Sequence, residues 1–167
     1  TGKGAALKLG VLKAKKEWIL TTDIDLSVSL KHIIIWQKKG YIKKNNKDTY
    51  FGSRGLKDSV VKTIFYRKIL GLFFTIFYNF FLSINLKDTQ CGFKLYKKDI
   101  AKKIFMKMKS SKFEHDLELV LLAKKINSSI IELPVEWRHK AGSKLNILLD
   151  PIKMFFGIIK IWWSYRF

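Results

Sequence analysis

The sequence predicts an α/β domain with a mainly parallel sheet flanked by helices. Two observations carry this expectation. Short, β-rich apolar runs alternate with longer segments of helical period, as in βα units. The chain of 167 residues is 48% hydrophobic, enough to bury one core.

Residues 5–16 read as a helix: Ala5, Leu9 and Leu12 share a face, and Lys13, Lys15 and Lys16 close it. Trp18-Ile19-Leu20-Thr21-Thr22 is a short buried strand running into Asp23-Ile24-Asp25. A helix is expected near 28–38, a polar loop over Lys43–Asp48, and a strand over Thr49–Phe51 stopped by Gly52-Ser53-Arg54-Gly55. Residues 58–84 form one long helical segment. Cys91–Tyr96 reads as a strand, and Ile100, Ile104 and Met108, four residues apart, mark the next helix. Residues 115–126 form a helix with Leu117, Val120 and Leu121 on its core face. Ser129–Val135 is a strand, and 145–166 the last helix.

The formal charge of +20 suits an anionic membrane, nucleic acid or a phosphorylated substrate, though much of it could be lysine-rich compositional drift. Fourteen of the 24 aromatic residues fall within 64–84 and 154–167, two apolar stretches, which favours a membrane surface over nucleic acid. Residues 69–86 carry no charge; as a helix they would measure about 27 Å, just short of a bilayer core of about 30 Å. Asp25 and Asp88 flank this stretch, so a single crossing would part them. Arg67, Gly71, Thr75, Asn79 and Ser83 repeat every four residues, a narrow polar stripe suited to a helix lying at an interface. In the last helix Asp150, Lys153, Lys160 and Ser164 form a similar stripe. The one cysteine, Cys91, excludes an internal disulfide and reads as a packing residue. The first apolar cluster is short and sits among lysines, unlike a signal peptide.

Asp23 and Asp25 lie at the carboxyl end of a buried strand, where open α/β sheets bind ligands. Two carboxylates there can share Mg²⁺ or Mn²⁺ with substrate phosphates, and the ion would neutralise a diphosphate leaving group.

Five segments, in order along the chain, carry a resemblance. Gly2-Lys3-Gly4-Ala5-Ala6 opens a helix; Thr22-Asp23-Ile24-Asp25-Leu26-Ser27 follows the strand; then come Asp88-Thr89-Gln90-Cys91-Gly92-Phe93-Lys94-Leu95, Phe113 to Leu119 with Asp116 and Glu118, and Trp137-Arg138-His139-Lys140-Ala141-Gly142-Ser143-Lys144. The set resembles the family 2 glycosyltransferases of GT-A fold, in the dolichyl-phosphate β-glucosyltransferase branch. The resemblance implies a partial GT-A catalytic domain over 1–150, with 64–84 as an amphipathic interfacial helix, and a juxtamembrane helix over 151–167. The family opens with a strand, a Pro-x-x-Asn-Glu type loop and a second βα unit that hold the nucleotide base. None of these is found in the chain, which is expected to be truncated, to come from a fragmentary sequence, or to have its first half on another chain.

Activity implied by the resemblance is inverting, metal-dependent transfer of glucose from UDP-glucose to a dolichyl or polyprenyl phosphate, on the cytoplasmic face of a membrane. Asp23 and Asp25 would hold the metal. Lys3, Arg54 and Gln90 would bind the donor. Asp88 and Asp116 would be catalytic, Asp88 as the base, although an acceptor phosphate is already anionic and positioning can matter more than proton removal. Arg138, His139, Ser143 and Lys144 would bind the acceptor phosphate. Glu118, at a helix start, reads as dipole complementation. No nucleic-acid partner is expected, and an oligomer is left open. Two other readings stand beside this one: a transferase acting on another lipid or a polysaccharide, and a non-catalytic membrane-binding remnant.

Overall fold

A computed structural model describes residues 2–45, 47–62, 65–112, 114–138 and 149–165. Its centre is a four-stranded sheet in the order β1 (Trp18–Thr21), β4 (Lys94–Lys97), β2 (Thr49–Ser53), β5 (Ile130–Pro134). β4 runs antiparallel to both its neighbours, while β2 and β5 pair in parallel from Thr49↔Ile130 to Ser53↔Pro134. β1, β2 and β5 thus share one direction, and their carboxyl ends meet the start of β4 at one edge of the sheet.

Strand alternation sends successive side chains to opposite faces and so builds two cores. Ile19, Phe51 and Tyr96 face α1 (Lys3–Lys13), α5 (Lys98–Lys107), α6 (His115–Lys125) and α7 (Leu149–Tyr165). Tyr50, Leu95 and Leu133 face the other way, onto Trp36 of α2 (Lys31–Lys38). Trp36 is fully buried; its indole N–H donates to the Pro134 carbonyl at 3.0 Å, and its ring meets Phe93 edge-on at 5.3 Å.

Three segments differ from the sequence expectation. Residues 58–84 are two elements: β3 (Val60–Lys62) pairs in parallel with β6 (Glu136–Arg138), and only Phe65–Leu82 is helical, as α4. The β-branched pair Val60-Val61 explains the switch, anchored where the Val60 N–H donates to the Val135 carbonyl at 3.1 Å. Tyr41–Asn45 forms a short helix, α3, where a polar loop was expected to begin. β4 starts at Lys94 rather than Cys91, because the Gln90 and Cys91 amides donate to the Asp88 carboxylate at 3.0 and 3.2 Å instead of a sheet partner.

Packing decides the faces of α4. Tyr78 and Leu82 are buried, while Leu72, Phe73, Ile76 and Phe80 point outward, Phe80 with 80% of its surface exposed. Thr75, from the expected polar stripe, turns inward: its hydroxyl lies 3.0 Å from the Gly71 carbonyl and 3.4 Å from that of Lys87. α7 lies beside α4, with Phe77 against Phe155 at 4.7 Å and Phe81 against Trp162 at 6.5 Å. Ile158 and Ile161 of α7 join the first core, whereas Phe156 and Trp163 remain exposed. Among the described residues no helix is long and apolar enough to cross a membrane.

Candidate active site

At the sheet edge where β1, β2 and β5 end, the segment from Asp88 to Phe93 runs between two clusters of charge. On one side the Lys3 ammonium lies 2.6 Å from Asp23 Oδ1 and 4.0 Å from Asp116 Oδ2. Lys3 occupies the first turn of α1, whose amino end Gly2 and Gly4 let sit hard against the Ser110–Ser111 backbone. A Cβ at Gly4 would lie 2.8 Å from the Ser110 carbonyl oxygen. Asp23 is seated against Gly92, where an added Cβ would come within 2.5 Å of Oδ2; this packing needs glycine. Behind them Asp116 is buried and ion-paired to the buried Lys94, whose ammonium also sits 4.9 Å above the Phe51 ring. Burial alone would lower the Lys3 pKa, but Asp116 and Asp23 outweigh it and raise it above the ordinary lysine value. Burial holds the neighbouring His115 imidazole below its ordinary value, hence neutral.

On the other side Arg54, at the end of β2, grips Asp88. Its Nε and Nη2 donate to the two carboxylate oxygens at 2.6 and 2.9 Å, and its backbone N–H adds a third bond at 2.9 Å. With the Gln90 and Cys91 amides, Asp88 accepts from five donors. Burial would push its carboxyl up; the Arg54 guanidinium outweighs that and holds it below the ordinary carboxylate range. Glu132 fixes the same loop from below, accepting the Lys87 and Asp88 N–H groups at 2.8 Å each. The Arg54 guanidinium lies 5.7 Å from the centre of the Trp137 ring. Gln90 Nε2 is a buried donor with no hydrogen-bond partner among the described residues. Burial pushes the Cys91 thiol up to about 11, which makes it a packing group and not a nucleophile.

Asp25 is different. It is exposed, on the turn closed where the Leu26 N–H donates to the Asp23 carbonyl at 3.1 Å. Among the described residues its carboxylate accepts from Ser27, from the N–H at 2.9 Å and the hydroxyl at 2.8 Å. Leu26 holds a left-handed φ of 51°, a strained geometry for a γ-branched residue. The Arg138 N–H donates to the Ser27 carbonyl at 2.9 Å, so β6 runs beside this turn; the Arg138 side chain is paired with Glu136 at 2.6 Å.

Lys3, Asp23 and Asp116 therefore meet in one cluster, and Arg54, Asp88 and Gln90 in a second one beside it. Asp88 and Asp116, expected to be catalytic, are both fully engaged by cations. Both are buried, and burial demands a counter-charge. Among the described residues no group of three or more His, Cys, Asp or Glu could hold a metal ion; Asp23 faces Lys3, and Asp25 is bonded by Ser27. His139, Ser143 and Lys144 lie outside the described residues. Sequence reasoning passed over Lys94, Gly92, Glu132 and Trp137 as functional positions. The signal for two of them was a charged residue inside an apolar strand, Phe93-Lys94-Leu95 and Ile131-Glu132-Leu133.

The chain is similar to known proteins along its whole length. It is 35% identical over 169 residues to a dolichyl-phosphate beta-glucosyltransferase of Trichomonas vaginalis, covering 99% of this chain and 51% of that protein. To the dolichyl-phosphate beta-glucosyltransferase of Dictyostelium discoideum it is 36% identical over 168 residues, covering 98% and 51%. The chain thus spans about half the length of these relatives. Its fold matches the crystal structure of glucosyl-3-phosphoglycerate synthase from Mycobacterium tuberculosis in complex with uridine diphosphate. The TM-score is 0.64 at 11% identity, covering 99% of this chain and 55% of that one. The GT-A type of α/β fold expected from the sequence therefore holds. Residues 1–105, which include Lys3, the Asp23–Asp25 turn and the Arg54–Asp88 pair, match the model of glycosyl transferase family 2, and the chain belongs to that family.

Proposed function

We propose that the chain supplies the diphosphate and acceptor side of an enzyme that transfers glucose from UDP-glucose to a dolichyl or polyprenyl phosphate, with inversion, on the cytoplasmic face of a membrane. One observation carries this reading. Two cations, Lys3 and Arg54, are each fixed by a carboxylate on either side of the Asp88–Phe93 segment, and each stays about a third exposed, at 29% and 32%. Fixed, partly exposed cations suit a reaction whose main task is to hold phosphates and the charge that develops on them. The relatives' names supply the sugar and the lipid.

Asp23 and Asp25 would hold Mg²⁺ or Mn²⁺, which when bound supplies positive charge to the diphosphate leaving group. Lys3 neutralises Asp23 and reaches the donor phosphates from the amino end of α1. Arg54, with two of its three nitrogens on Asp88, keeps its plane for a phosphate beside Trp137, and Arg138 extends that surface. Gln90 Nε2 donates to a sugar hydroxyl. The acceptor phosphate oxygen attacks the anomeric carbon opposite the departing diphosphate; it is already anionic at neutral pH, so Asp88 and Asp116 serve as holders of Arg54 and Lys3. The apolar face of α4, Leu72, Phe73, Ile76 and Phe80, with Phe156 and Trp163 of α7, enters the lipid interface and brings the site to the headgroup level.

The test uses the natural full-length protein, radiolabelled UDP-glucose and polyprenyl phosphate in vesicles. Labelled lipid should form only with a divalent ion present, as the β-linked product. Use of another sugar nucleotide in place of UDP-glucose would overturn the donor, and transfer that survives chelation would overturn the metal.

A further inference from the structure

Glu118 is buried and lies outside the two charge clusters of the site, yet its carboxylate accepts from three donors. Its two oxygens accept the Lys109 and Ser110 N–H groups at 2.8 and 2.7 Å, and the Tyr165 hydroxyl at the end of α7 donates to Oε1. The loop so held is the one against which the amino end of α1 packs. A Cβ at Gly2 would lie 2.3 Å from the Ser111 carbonyl oxygen, and the Ala5 N–H donates to that oxygen at 3.3 Å. Lys8 ties the next turn of α1 to the same region, donating to the Met106 and Met108 carbonyls at 3.1 and 2.7 Å. Between Gly2 and Gly4 sits Lys3.

We infer that Glu118 is a positioning residue: braced by Tyr165 of α7, its carboxylate fixes the 109–111 loop and thereby sets where Lys3 stands. The path is made of contacts only, from α7 through a buried carboxylate and two backbone amides to the amino end of α1. Loop and α1 touch without room for a side chain at Gly2 or Gly4, so a shift of the loop moves α1 with it. Dipole complementation, the plain reading of an acid in the first turn of a helix, leaves the Tyr165 hydroxyl and the two captured amides without a purpose. Burial pushes the Glu118 carboxyl up, but the hydrogen bonds from Tyr165 and Ser110 outweigh it and keep it ionised, so it accepts at both oxygens. Glutamine in its place would present an N–H₂ to amides that need an acceptor.

This inference rests on the reading of Lys3 as a donor-phosphate ligand, and the test separates the two. Glu118→Gln, Tyr165→Phe and Lys3→Ala are compared in the full-length protein by amide exchange and by steady-state transfer from UDP-glucose. Glu118→Gln should speed exchange at Lys109 and Ser110 and also at Ala5 and Ala6, leave β2 and β5 protected, and raise KM for the donor about tenfold with kcat within about twofold. Tyr165→Phe, which removes one oxygen atom from a half-buried ring, should do the same to a smaller degree and keeps the test alive if Glu118→Gln fails to fold. Faster exchange confined to 109–110, with Ala5, Ala6 and KM unchanged in both variants, would reduce Glu118 to a local cap and overturn the inference. If Lys3→Ala leaves KM unchanged, the donor role of Lys3 falls instead, and exchange at Ala5 and Ala6 alone decides the positioning.

Discussion

Asp25 and Asp88 are both aspartates at the same edge of the sheet, and their surroundings differ in kind. A carboxylate offers about four lone-pair sites. Asp88 is buried and meets five donors, whereas Asp25 is exposed and meets two, both from Ser27. The first has no capacity left for a ligand; it is there to hold Arg54 and to end the loop before β4. The second has its direction fixed by Ser27 and, among the described residues, meets no further donor, which suits the proposed cation site. The contrast gives the heavily bonded acid a structural part and, in the proposed reading, leaves metal binding to the lightly bonded one.

The sharpest way to break the comparison is to mutate both. Asp88→Asn strands Arg54 and leaves a neutral acceptor among five donors. Breaking a buried pair costs about 3–5 kcal/mol, so urea denaturation should show most of the fold's stability gone. Lys94→Met, which leaves Asp116 buried beside neutral His115 and Lys3 at 4.0 Å, should fall in the same range. Asp25→Asn should cost less than about 1 kcal/mol by the same measurement, since its turn is exposed, and yet stop transfer. Equal stability losses at 25 and 88 would erase the distinction.

A second contrast lies on α4. Phe77 packs on Phe81 and Phe155, at 4.5 and 4.7 Å between ring centres, while Phe73 and Phe80 face outward. Phe77→Ser should lower stability by about 3 kcal/mol. Phe73→Ser with Phe80→Ser should leave melting unchanged and cut partitioning to anionic vesicles at every salt concentration, because the apolar contribution is not screened. Vesicle binding that survives the double change would place the membrane contact elsewhere.

The pH dependence sharpens the architectural side. Asp88 and Glu118 both have folded pKa values below their ordinary 3.8 and 4.5. The stability they contribute is therefore full above those ordinary values and is lost as pH falls from them through the folded values. Urea midpoints should drop steeply below pH 4.5, and Glu118→Gln, less stable at neutral pH, should drop with a shallower slope. The smallest effect is expected at Leu26, where Gly relieves a left-handed φ of 51° and should raise the melting temperature by the equivalent of about 1 kcal/mol or less.

Much of this was legible in the sequence, and the residues show why the rest was not. The Asp23–Asp25 turn could be read because its cause is local: an apolar strand, then acids. The helix over 115–126 and the strands around 20, 50 and 131 follow from period and composition in the same way. Lys94 with Asp116, Arg54 with Asp88 and Glu132 with the Lys87 and Asp88 amides could not be read, because each joins residues 22 to 45 positions apart. No local pattern says which acid will meet which base. Which face of α4 points outward could not be read, because the helix is apolar on nearly every side; period shows that faces exist, and only the packing of Tyr78, Leu82 and α7 decides which is covered.

The most direct test of the account is manganese binding by the full-length protein in the presence of UDP, followed by electron paramagnetic resonance. Three forms are compared: wild type, Asp25→Asn, and Asp99→Asn as a control at the opposite end of the sheet, at the start of α5. The account predicts that Asp25→Asn weakens binding at least about tenfold with melting unchanged, while Asp99→Asn matches wild type. Manganese held as tightly by Asp25→Asn as by wild type would contradict it.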